Sequence, residues 1–412
     1  MTADVDLPAL VRLGDGVRAG ETDDAVDGVV PTMVVVPDTP QDVAELLGGA
    51  VDSGLSVVPR GAGTKLGWGS PPRSLDLLVD LRRLDDVLEH NPGDLVVRAQ
   101  AGLTLAALQE RLAAEGQLLA LDPPEPGATL GGIVAANASG PRRLRYGTVR
   151  DLLIGVTAVL ADGSVAHAGG KVVKNVAGYD LGKLFTGSFG TLGLIVETIF
   201  RLHPLPPARR VVRIPFVDPV RAGEVVQKIL HSTLVPTALE LDSPRTGDRS
   251  LTVLFEGVQP AVAAQSDRAV ALDSGARVDA DLPAAFGSPP YAEGEIGLKL
   301  AYAPAALPQV LGALAVGERE FGLPAAVRGS AGSGVLQVGW PATDAAAGAL
   351  GRLRAELAAY DGSVLVRQAP ADLKATLDVW GPVGDALPLM RRVKARFDPE
   401  CRLSPGRFVA GI

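Results

Sequence analysis

The sequence predicts a mixed protein of helices and strands, with room for two or three domains. The chain has 412 residues, whereas a typical domain uses about 150. Short β-branched runs alternate with segments in which apolar residues recur at helical spacing, which is typical of proteins that pack helices on sheets. Hydrophobic residues make up 47% of the chain but aromatic residues only 4%, so the core must consist mainly of aliphatic side chains.

The first predicted unit is a strand, a helix and a second strand near the N-terminus. Residues 33–36 form a β-branched run. Thr39 is placed to cap a helix that has Pro40 as its first residue. The apolar residues at helical spacing in this helix are Val43, Leu46, Leu47 and Ala50. A second strand at 55–58 then leads into a glycine-rich loop at 60–65.

Strands and helices continue to alternate along the rest of the chain. Further strands are predicted at 75–80, 95–99, 152–160, 164–167, 192–202, 210–216, 238–241, 251–255, 297–301, 334–339 and 363–367. Helices are predicted at 103–115 and 387–397, and Asp162-Gly163 indicates a hairpin turn. After Pro207 the helices become rich in alanine, which marks a change of domain.

Composition excludes several classes of protein. The net charge of −8 argues against a nucleic-acid binder. The single cysteine, Cys401, excludes an internal disulfide and a cysteine-ligated cluster, and the four histidines lack metal-site spacing, so no metal is predicted. The acidic N-terminus does not resemble a signal peptide, and no apolar run approaches the 20 or so residues of a membrane span. We therefore expect a soluble, cytoplasmic protein.

The loop that follows the strand at 55–58 is the first candidate site. It consists of Arg60, Gly61, Ala62, Gly63, Thr64 and Lys65. Gly61 and Gly63 allow a close approach of the backbone to a diphosphate, and Thr64 offers a hydroxyl donor. Arg60 and Lys65 add positive charge. The loop has neither the P-loop pattern nor the Rossmann pattern, which disfavours nucleotide binding by those two routes.

A second glycine-rich segment spans 127–140. Thr129 is placed to begin a short helix, and Asn137, Ser139 and Gly140 offer donors and bare backbone to a flat ring. A well-packed loop between strands is the alternative. The third segment, 174–193, has Asp180 as a helix cap.

These segments resemble a known family. PRGAGTKLGWG (59–69), GATLGGIVAANASG with RYG (127–147), VLADGSV (159–165) and KNVAGYDLGKLFTGSFGTLGLI (174–195) occur in that order, and the tail contains RFDPECRLSPGR (396–407). The set resembles the FAD-binding domain of the vanillyl-alcohol oxidase superfamily, the PCMH type. More narrowly, it is similar to the FAD-binding E subunits of bacterial glycolate oxidases.

The resemblance implies an α+β fold with an FAD domain over 1–205, a cap domain over 206–385 and a C-terminal segment, 386–412, that returns to the FAD domain. The FAD domain would comprise two α/β lobes at about 28–85 and 86–205. The cofactor-binding residues that it implies are Arg60, Gly61, Ala62, Gly63, Thr64, Lys65, Gly127, Thr129, Gly132, Asn137, Ser139, Gly140, Tyr146 and Ile195. Thr64-Lys65 stand where covalently flavinylated relatives often have a histidine, which implies noncovalent FAD.

The resemblance also implies a function. It is that of the FAD-binding subunit of a glycolate oxidase (glycolate dehydrogenase) complex, which oxidises glycolate to glyoxylate with a homologous catalytic flavin subunit and an iron–sulfur subunit. Any contact with the inner membrane would be made through these partners. Catalytic members carry a cap motif similar to HxGDGNxH, whereas no histidine follows His231 here. No catalytic residue is therefore assigned.

Two alternative functions stay open, and a third is disfavoured. A stand-alone FAD oxidoreductase acting on another small alcohol or hydroxy acid and a scaffold that has lost FAD both stay open. A reductase of cell-wall precursors on the same fold is disfavoured because no motif supports it.

Charged residues outside these motifs have two interpretations. In the cap, Lys299, Arg328 and Arg367 are cations that suit a substrate carboxylate, and Glu240 and Glu256 lie in predicted strands. Solvated side chains or structural ion pairs are the alternative for all five. The basic cluster of the FAD domain is read either as a solvated loop or as a surface for a phosphate or an acidic partner; it consists of Arg142, Arg143, Arg145 and Arg150. Tyr146 contacts either the flavin edge or the core.

Overall fold

A computed structural model describes residues 13–170 and 180–412. Its helices are Pro40–Asp52 (α1), Leu105–Ala114 (α2), Leu130–Ala136 (α3), Arg143–Tyr146 (α4), Val149–Leu152 (α5), Leu181–Phe185 (α6), Pro219–Leu230 (α7), Gln259–Val270 (α8), Leu307–Phe321 (α9), Ala346–Ala358 (α10), Ala371–Lys374 (α11) and Leu387–Phe397 (α12). The strands are Val17–Ala19 (β1), Met33–Val35 (β2), Val57–Arg60 (β3), Leu77–Asp80 (β4), Val87–Asn91 (β5), Val96–Gln100 (β6), Gln117–Leu118 (β7), Leu153–Val159 (β8), Val165–Gly169 (β9), Leu194–Arg201 (β10), His203–Pro204 (β11), Ala208–Pro215 (β12), Ala238–Ser243 (β13), Ser250–Gly257 (β14), Arg277–Asp279 (β15), Ile296–Ala301 (β16), Ala326–Ser330 (β17), Val335–Trp340 (β18) and Ser363–Gln368 (β19). The predicted mixture of helices and sheets is confirmed.

The N-terminal half contains two larger sheets. In the first, of order β1-β2-β4-β3, strands β2, β4 and β3 are parallel. The predicted helix start is confirmed, because the Thr39 side chain accepts a hydrogen bond from Asp42 N and Pro40 opens α1. The apolar face of α1 covers this sheet. The second sheet, of order β5-β6-β10-β8-β9, is antiparallel.

The second half is built on an antiparallel sheet of eight strands, of order β15-β12-β14-β13-β17-β18-β16-β19. One face is apolar and is covered by helices α7 to α10. The strand residues in this core include Val212, Leu241, Val253, Leu298, Leu336, Val338 and Val366. A one-sided core of this kind is what alternating apolar and polar residues in a strand specify.

The other face of the eight-stranded sheet carries polar residues and is turned toward the first half of the chain. Lys299 is opposite Gln337, Gln337 is opposite Arg328, and Arg328 is opposite Asp242. Residues opposite each other in an antiparallel sheet project from the same face, so these four form one row. Helix α4 packs against β13 on this side. The sheet therefore presents a polar face to the N-terminal half.

The C-terminal segment contacts the first half of the chain. Lys394 on α12 donates hydrogen bonds to Thr191 O at 2.8 Å and to Leu403 O at 2.9 Å, and it pairs with Asp398 at 2.5 Å. Leu403 forms a parallel bridge with Val57 of β3. These contacts place the last residues beside the loop that follows β3.

Most predicted elements are present within a few residues of their predicted bounds. The hairpin at Asp162-Gly163 is confirmed, with Gly163 at φ 79°. The strands that the sequence did not predict are β1, β5, β7, β11, β15 and β17. Strand β17 has the sequence AVRGS, in which a charged residue and a glycine conceal the short apolar run. The KNVAGY part of the third motif, Lys174 to Tyr179, lies outside the described residues.

Candidate functional site

A continuous cleft lies where the loop after β3 meets the start of α3. The loop contributes residues 60–66, and α3 contributes Thr129, Gly132 and Ala135. The cleft extends to Ile195 at the start of β10. Phe189, Gly190 and the C-terminal Arg407 close the remaining side. Segments distant in sequence thus form one groove.

Two glycines of the loop give the groove its shape. A Cβ atom at Gly61 would lie 2.1 Å from the Thr129 hydroxyl oxygen, which is far inside van der Waals contact. Gly63 has φ 78°, a conformation that glycine adopts without strain. Thr129 itself caps α3, because its hydroxyl oxygen accepts a hydrogen bond from Gly132 N at 3.4 Å. The loop and the start of α3 can approach this closely only because residue 61 has no side chain.

The charges of the loop are largely paired within the protein. The Arg60 guanidinium contacts Asp24 and Asp80, each at 2.9 Å. Lys65 contacts Glu125 at 3.0 Å. Hydrogen bonds from Arg18 and Arg60 hold the pKa of Asp24 well below its usual range. Arg60 and Lys65 therefore contribute mainly their backbone to the groove. They do not supply the free positive charge that the sequence suggested.

Arg407 supplies a cation to the groove. Its Nη2 atom donates to Leu66 O and Trp68 O, both at 2.7 Å. Its Nη1 atom is buried and has no hydrogen-bond partner among the described residues. Burial lowers the pKa of Arg407 to about 10, at which it still carries its charge near neutral pH. A buried donor without a partner is costly, so this atom indicates an anionic ligand.

These residues fit FAD. Glycines 61, 63, 132 and 190 leave backbone open to a diphosphate, and Arg407 offers an unpaired donor. Asn137 ends α3 at φ 47°, and its buried Oδ1 atom has no hydrogen-bond partner among the described residues. The groove thus combines bare backbone, a cation and unsatisfied polar atoms.

The structure brings together some of the predicted cofactor residues and separates others. Those that line the groove are Arg60, Gly61, Ala62, Gly63, Thr64, Lys65, Thr129, Gly132 and Ile195. Ser139 and Gly140 line a second cleft. Gly127 precedes α3 without lining either cleft. Tyr146 packs on the core, with its ring 4.7 Å from that of His203.

The second cleft lies between the polar face of the eight-stranded sheet and the segment 139–143. The space inside it that is free of protein atoms is about 400 Å³, part of which is open solvent. Arg143, Arg328 and Arg367 line it, together with Glu240 and Gln337. Gly140 is packed tightly at its edge, since a Cβ there would lie 1.9 Å from Asp122 O. The cleft is therefore walled by both halves of the chain.

Several charged residues near this cleft form structural ion pairs. Arg142 pairs with Glu256 at 2.8 Å, and Arg328 pairs with Asp242 at 2.9 Å. Arg145 donates to Glu256 O at 2.7 Å. The solvated-loop interpretation is thus wrong for Arg142, which joins the two halves of the chain, whereas Arg145 is exposed and also contacts the second half. The interpretation as structural ion pairs is confirmed for Arg328 and Glu256.

Arg143, Lys299 and Arg367 behave differently from those pairs. Arg143 donates to Ser139 O at 3.0 Å. The Arg367 guanidinium carbon lies 4.1 Å from the centre of the Trp68 ring. No carboxylate of the described residues lies within salt-bridge distance of any of the three. Burial, together with the charges of Arg367 and Arg143, lowers the pKa of Lys299 to about 7.

Burial raises the pKa of two carboxyl groups near these cations, and of the two only Glu240 is mostly neutral at pH 7. Burial raises the pKa of Glu240 to about 8, and the neighbouring Asp122 adds to the effect. Burial also raises the pKa of Asp122 to about 6. The second cleft therefore has an excess of positive charge at neutral pH.

Across 13–170 and 180–412, no group of three or more His, Cys, Asp or Glu side chains is arranged to hold a metal ion. Within the same residues, no helix combines the length and the apolar character needed to cross a bilayer.

Comparison with known proteins identifies the cofactor. Residues 31–169 match a family model described as an FAD binding domain. Glycolate oxidase subunit GlcD of Bacillus subtilis is 33% identical over 220 residues, which are 52% of this chain and 46% of that protein. Glycolate oxidase subunit GlcE of Escherichia coli is 32% identical over 229 residues, which are 55% of this chain and 63% of that protein. D-lactate dehydrogenase of Archaeoglobus fulgidus is 36% identical over 216 residues, which are 52% of this chain and 48% of that protein.

Solved structures with the same fold extend over nearly the whole chain. p-Cresol methylhydroxylase superposes with a TM-score of 0.78 at 17% identity, covering 98% of this chain and 95% of that one. Alkyldihydroxyacetonephosphate synthase superposes with a TM-score of 0.72 at 17% identity, covering 97% and 86%. The predicted PCMH-type fold and the predicted FAD cofactor are confirmed. The alignments with the glycolate oxidase subunits and the D-lactate dehydrogenase span less than two thirds of the length of those proteins.

Sequence reasoning missed two functional features. Arg407 belongs to the tail motif, but no role was predicted for it from the sequence. Phe189 lines the groove with φ 55°, a conformation in which glycine is the usual residue. A phenylalanine at this position therefore gave no sign in the sequence of the unusual backbone. The tail's resemblance to the family was the one signal that pointed to Arg407.

Proposed function

We propose that this chain, which belongs with the FAD-linked oxidoreductases related to glycolate oxidase subunits and D-lactate dehydrogenases, is the FAD-holding subunit of a glycolate oxidase-type complex. The complex would oxidise glycolate, a 2-hydroxy acid, to glyoxylate. The groove that combines the 60–65 loop, Thr129 and the unpaired Nη1 atom of Arg407 carries this proposal. The names of the related glycolate oxidase subunits support it.

The residues of the groove have distinct parts in holding the cofactor. FAD, when bound, supplies the acceptor for the hydride lost by the substrate. Backbone N–H groups at Gly61 and Gly63 would contact the diphosphate, and Arg407 would neutralise part of its charge. Thr129 and Ile195 would line the rest of the groove. Asn137, Ser139 and Gly140 would direct polar atoms toward the ring system.

We propose that the cofactor is held noncovalently. No histidine or cysteine is among the described residues that line the groove or the second cleft. Acid precipitation of the purified protein tests this point, because dissociable FAD stays in the supernatant. Flavin that remains in the pellet after washing would contradict it.

The partners in this proposal are a homologous catalytic flavin subunit and an iron–sulfur subunit. Co-purification with affinity-tagged chain is the first test, and the complex is expected to reduce an artificial electron acceptor with glycolate. Recovery of a fully active single chain on glycolate would contradict the subunit role.

A stand-alone oxidoreductase is the second candidate, and the second cleft is the observation that favours it. Arg143 and Arg367 line a cavity on this same chain without carboxylate partners among the described residues. Anaerobic addition of a hydroxy acid to the isolated, FAD-loaded chain separates the two candidates. Bleaching of the flavin band without a partner would support the stand-alone enzyme, whereas an unchanged band that bleaches after the partner is added would support the subunit.

A further inference from the structure

We propose that Arg143, Lys299 and Arg367 form a binding site for a small organic carboxylate, and that Lys299 takes up a proton when the carboxylate binds. This inference deepens the proposed function. It rests on the proposed function only for the identity of the acid that is the natural ligand. Among the described residues, no group of three or more His, Cys, Asp or Glu side chains is arranged to hold a metal ion.

The first argument is the contrast between these cations and four cations of the molecule that have carboxylate partners. Lys374 pairs with Asp27 at 2.7 Å, and Lys394 pairs with Asp398 at 2.5 Å. Arg328 and Arg142 also have carboxylate partners. A charge removed from water is tolerated when it is paired, so clustered cations without a protein carboxylate indicate an anion supplied from outside.

The second argument is the way in which the scaffold aims Arg367. A register shift between Gly297 and Leu298 leaves Arg367 as the extra residue of a bulge on β19. Bulges redirect side chains and are frequent beside active sites. The guanidinium stacks on Trp68, which occupies one of its faces and leaves its N–H edge for a carboxylate.

Glycines beneath Tyr291 hold its ring beside Arg367. A Cβ at Gly297 would lie 2.5 Å from the Tyr291 ring, and a Cβ at Gly339 would lie 3.0 Å from Tyr291 Cβ. Tyr291 therefore lies flat over two adjacent strands. Its hydroxyl donates to Gln337 at 3.2 Å, which fixes the ring next to Arg367.

The third argument concerns the proton. Burial, Arg367 and Arg143 lower the pKa of Lys299 to about 7, so about half of the lysines are neutral at pH 7. A carboxylate bound by the arginines offsets their charge and adds a negative charge beside Lys299, which raises its pKa. The other charged or titratable groups around the cleft are Arg328 with its partner Asp242, Glu240, Asp122, Tyr291 and the Lys65–Glu125 pair. Binding is therefore expected to draw in up to about half a proton per site at pH 7.

Calorimetric titration of the FAD-loaded protein with oxamate tests the proposal. Oxamate is a small carboxylate that resembles a 2-oxo acid and has no hydroxyl group to oxidise, so the result does not depend on turnover. Titrations in phosphate and in Tris at pH 7 give the number of protons exchanged, because these buffers differ in their heats of ionisation. The variants are Lys299→Met and Arg367→Gln, and the matched control is Lys228→Met, which changes an exposed lysine on α7.

The expected results separate the two parts of the proposal. Wild type and the control should bind oxamate with proton uptake. Lys299→Met should lower the proton uptake, and Arg367→Gln should weaken binding at least tenfold while FAD content and circular dichroism stay unchanged. Absence of oxamate binding to folded, FAD-loaded wild type, or binding with equal affinity and equal proton uptake in all variants, would overturn the site. Oxamate binding without flavin reduction by glycolate or lactate in the complex would instead overturn the proposed function and leave the site standing.

Discussion

Replacing Gly61 by alanine tests the geometry of the FAD groove most sharply. The new Cβ would lie 2.1 Å from the Thr129 hydroxyl oxygen and 3.2 Å from both Thr129 Cβ and Cγ2. The loop must therefore move away from the start of α3, or Thr129 must turn and lose its cap to Gly132 N. Overpacking of this kind costs about 1–3 kcal/mol. If that cost falls on the bound state, the Kd for FAD rises about 5- to 150-fold.

The assay is titration of the apoprotein with FAD, followed by the change in flavin fluorescence. The matched control is Gly67→Ala in the same loop, because a Cβ there meets no atom within 4 Å. Thr129→Ala removes the oxygen that clashes with the new Cβ. The double variant with Gly61→Ala and Thr129→Ala should therefore bind FAD more tightly than the sum of the two single losses in binding free energy predicts. Equal Kd values for Gly61→Ala and Gly67→Ala would refute the reasoning.

Three further predictions concern the groove, the C-terminal segment and the second cleft. Arg407→Met should weaken FAD binding about tenfold or more, since a charged hydrogen bond contributes about 1.5–3 kcal/mol; an exposed arginine variant, Arg391→Met, should bind FAD like wild type in the same titration. Lys394→Met should lower the free energy of unfolding by about 3–5 kcal/mol, because it leaves Asp398 buried and unpaired; urea denaturation measures this, and a loss below about 1 kcal/mol would contradict it. Glu240→Gln should raise the Tm more at pH 8 than at pH 5. The pKa of this carboxyl is raised to about 8 in the folded state. Between its usual pKa and pH 8, the unfolded state has lost a proton that the folded state keeps, so wild-type stability falls as the pH rises over this range. A Tm difference that is equal at both pH values would contradict the burial argument.

The sequence predicted local structure well where a single chemical signal dominates. Thr39 followed by Pro40 predicted the start of α1, and Asp162-Gly163 predicted a hairpin; both depend on short-range contacts. The loop at 60–65 was located in the same way. The sequence did not predict which charged side chains form ion pairs within the protein. Arg60 pairs with Asp24, 36 positions away, and that contact exists only after the first sheet has formed.

The second cleft shows the same limit more clearly. Lys299, Arg328 and Arg367 looked equivalent as cap cations. Arg328 is paired because the register of β13 and β17 puts Asp242 opposite it. Arg367 is unpaired because a bulge turns it toward Trp68. Strand register and bulges arise from the whole sheet, so a pattern within one strand does not reveal them.

The absorption spectrum of the purified chain after incubation with FAD and removal of excess cofactor is the most direct test of the central claim. We expect a flavin band equivalent to about one FAD per chain, which acid releases, and a smaller band in Arg407→Met treated in the same way. A folded chain that stays colourless after reconstitution would contradict the assignment of the groove lined by residues 60–65, Thr129 and Arg407.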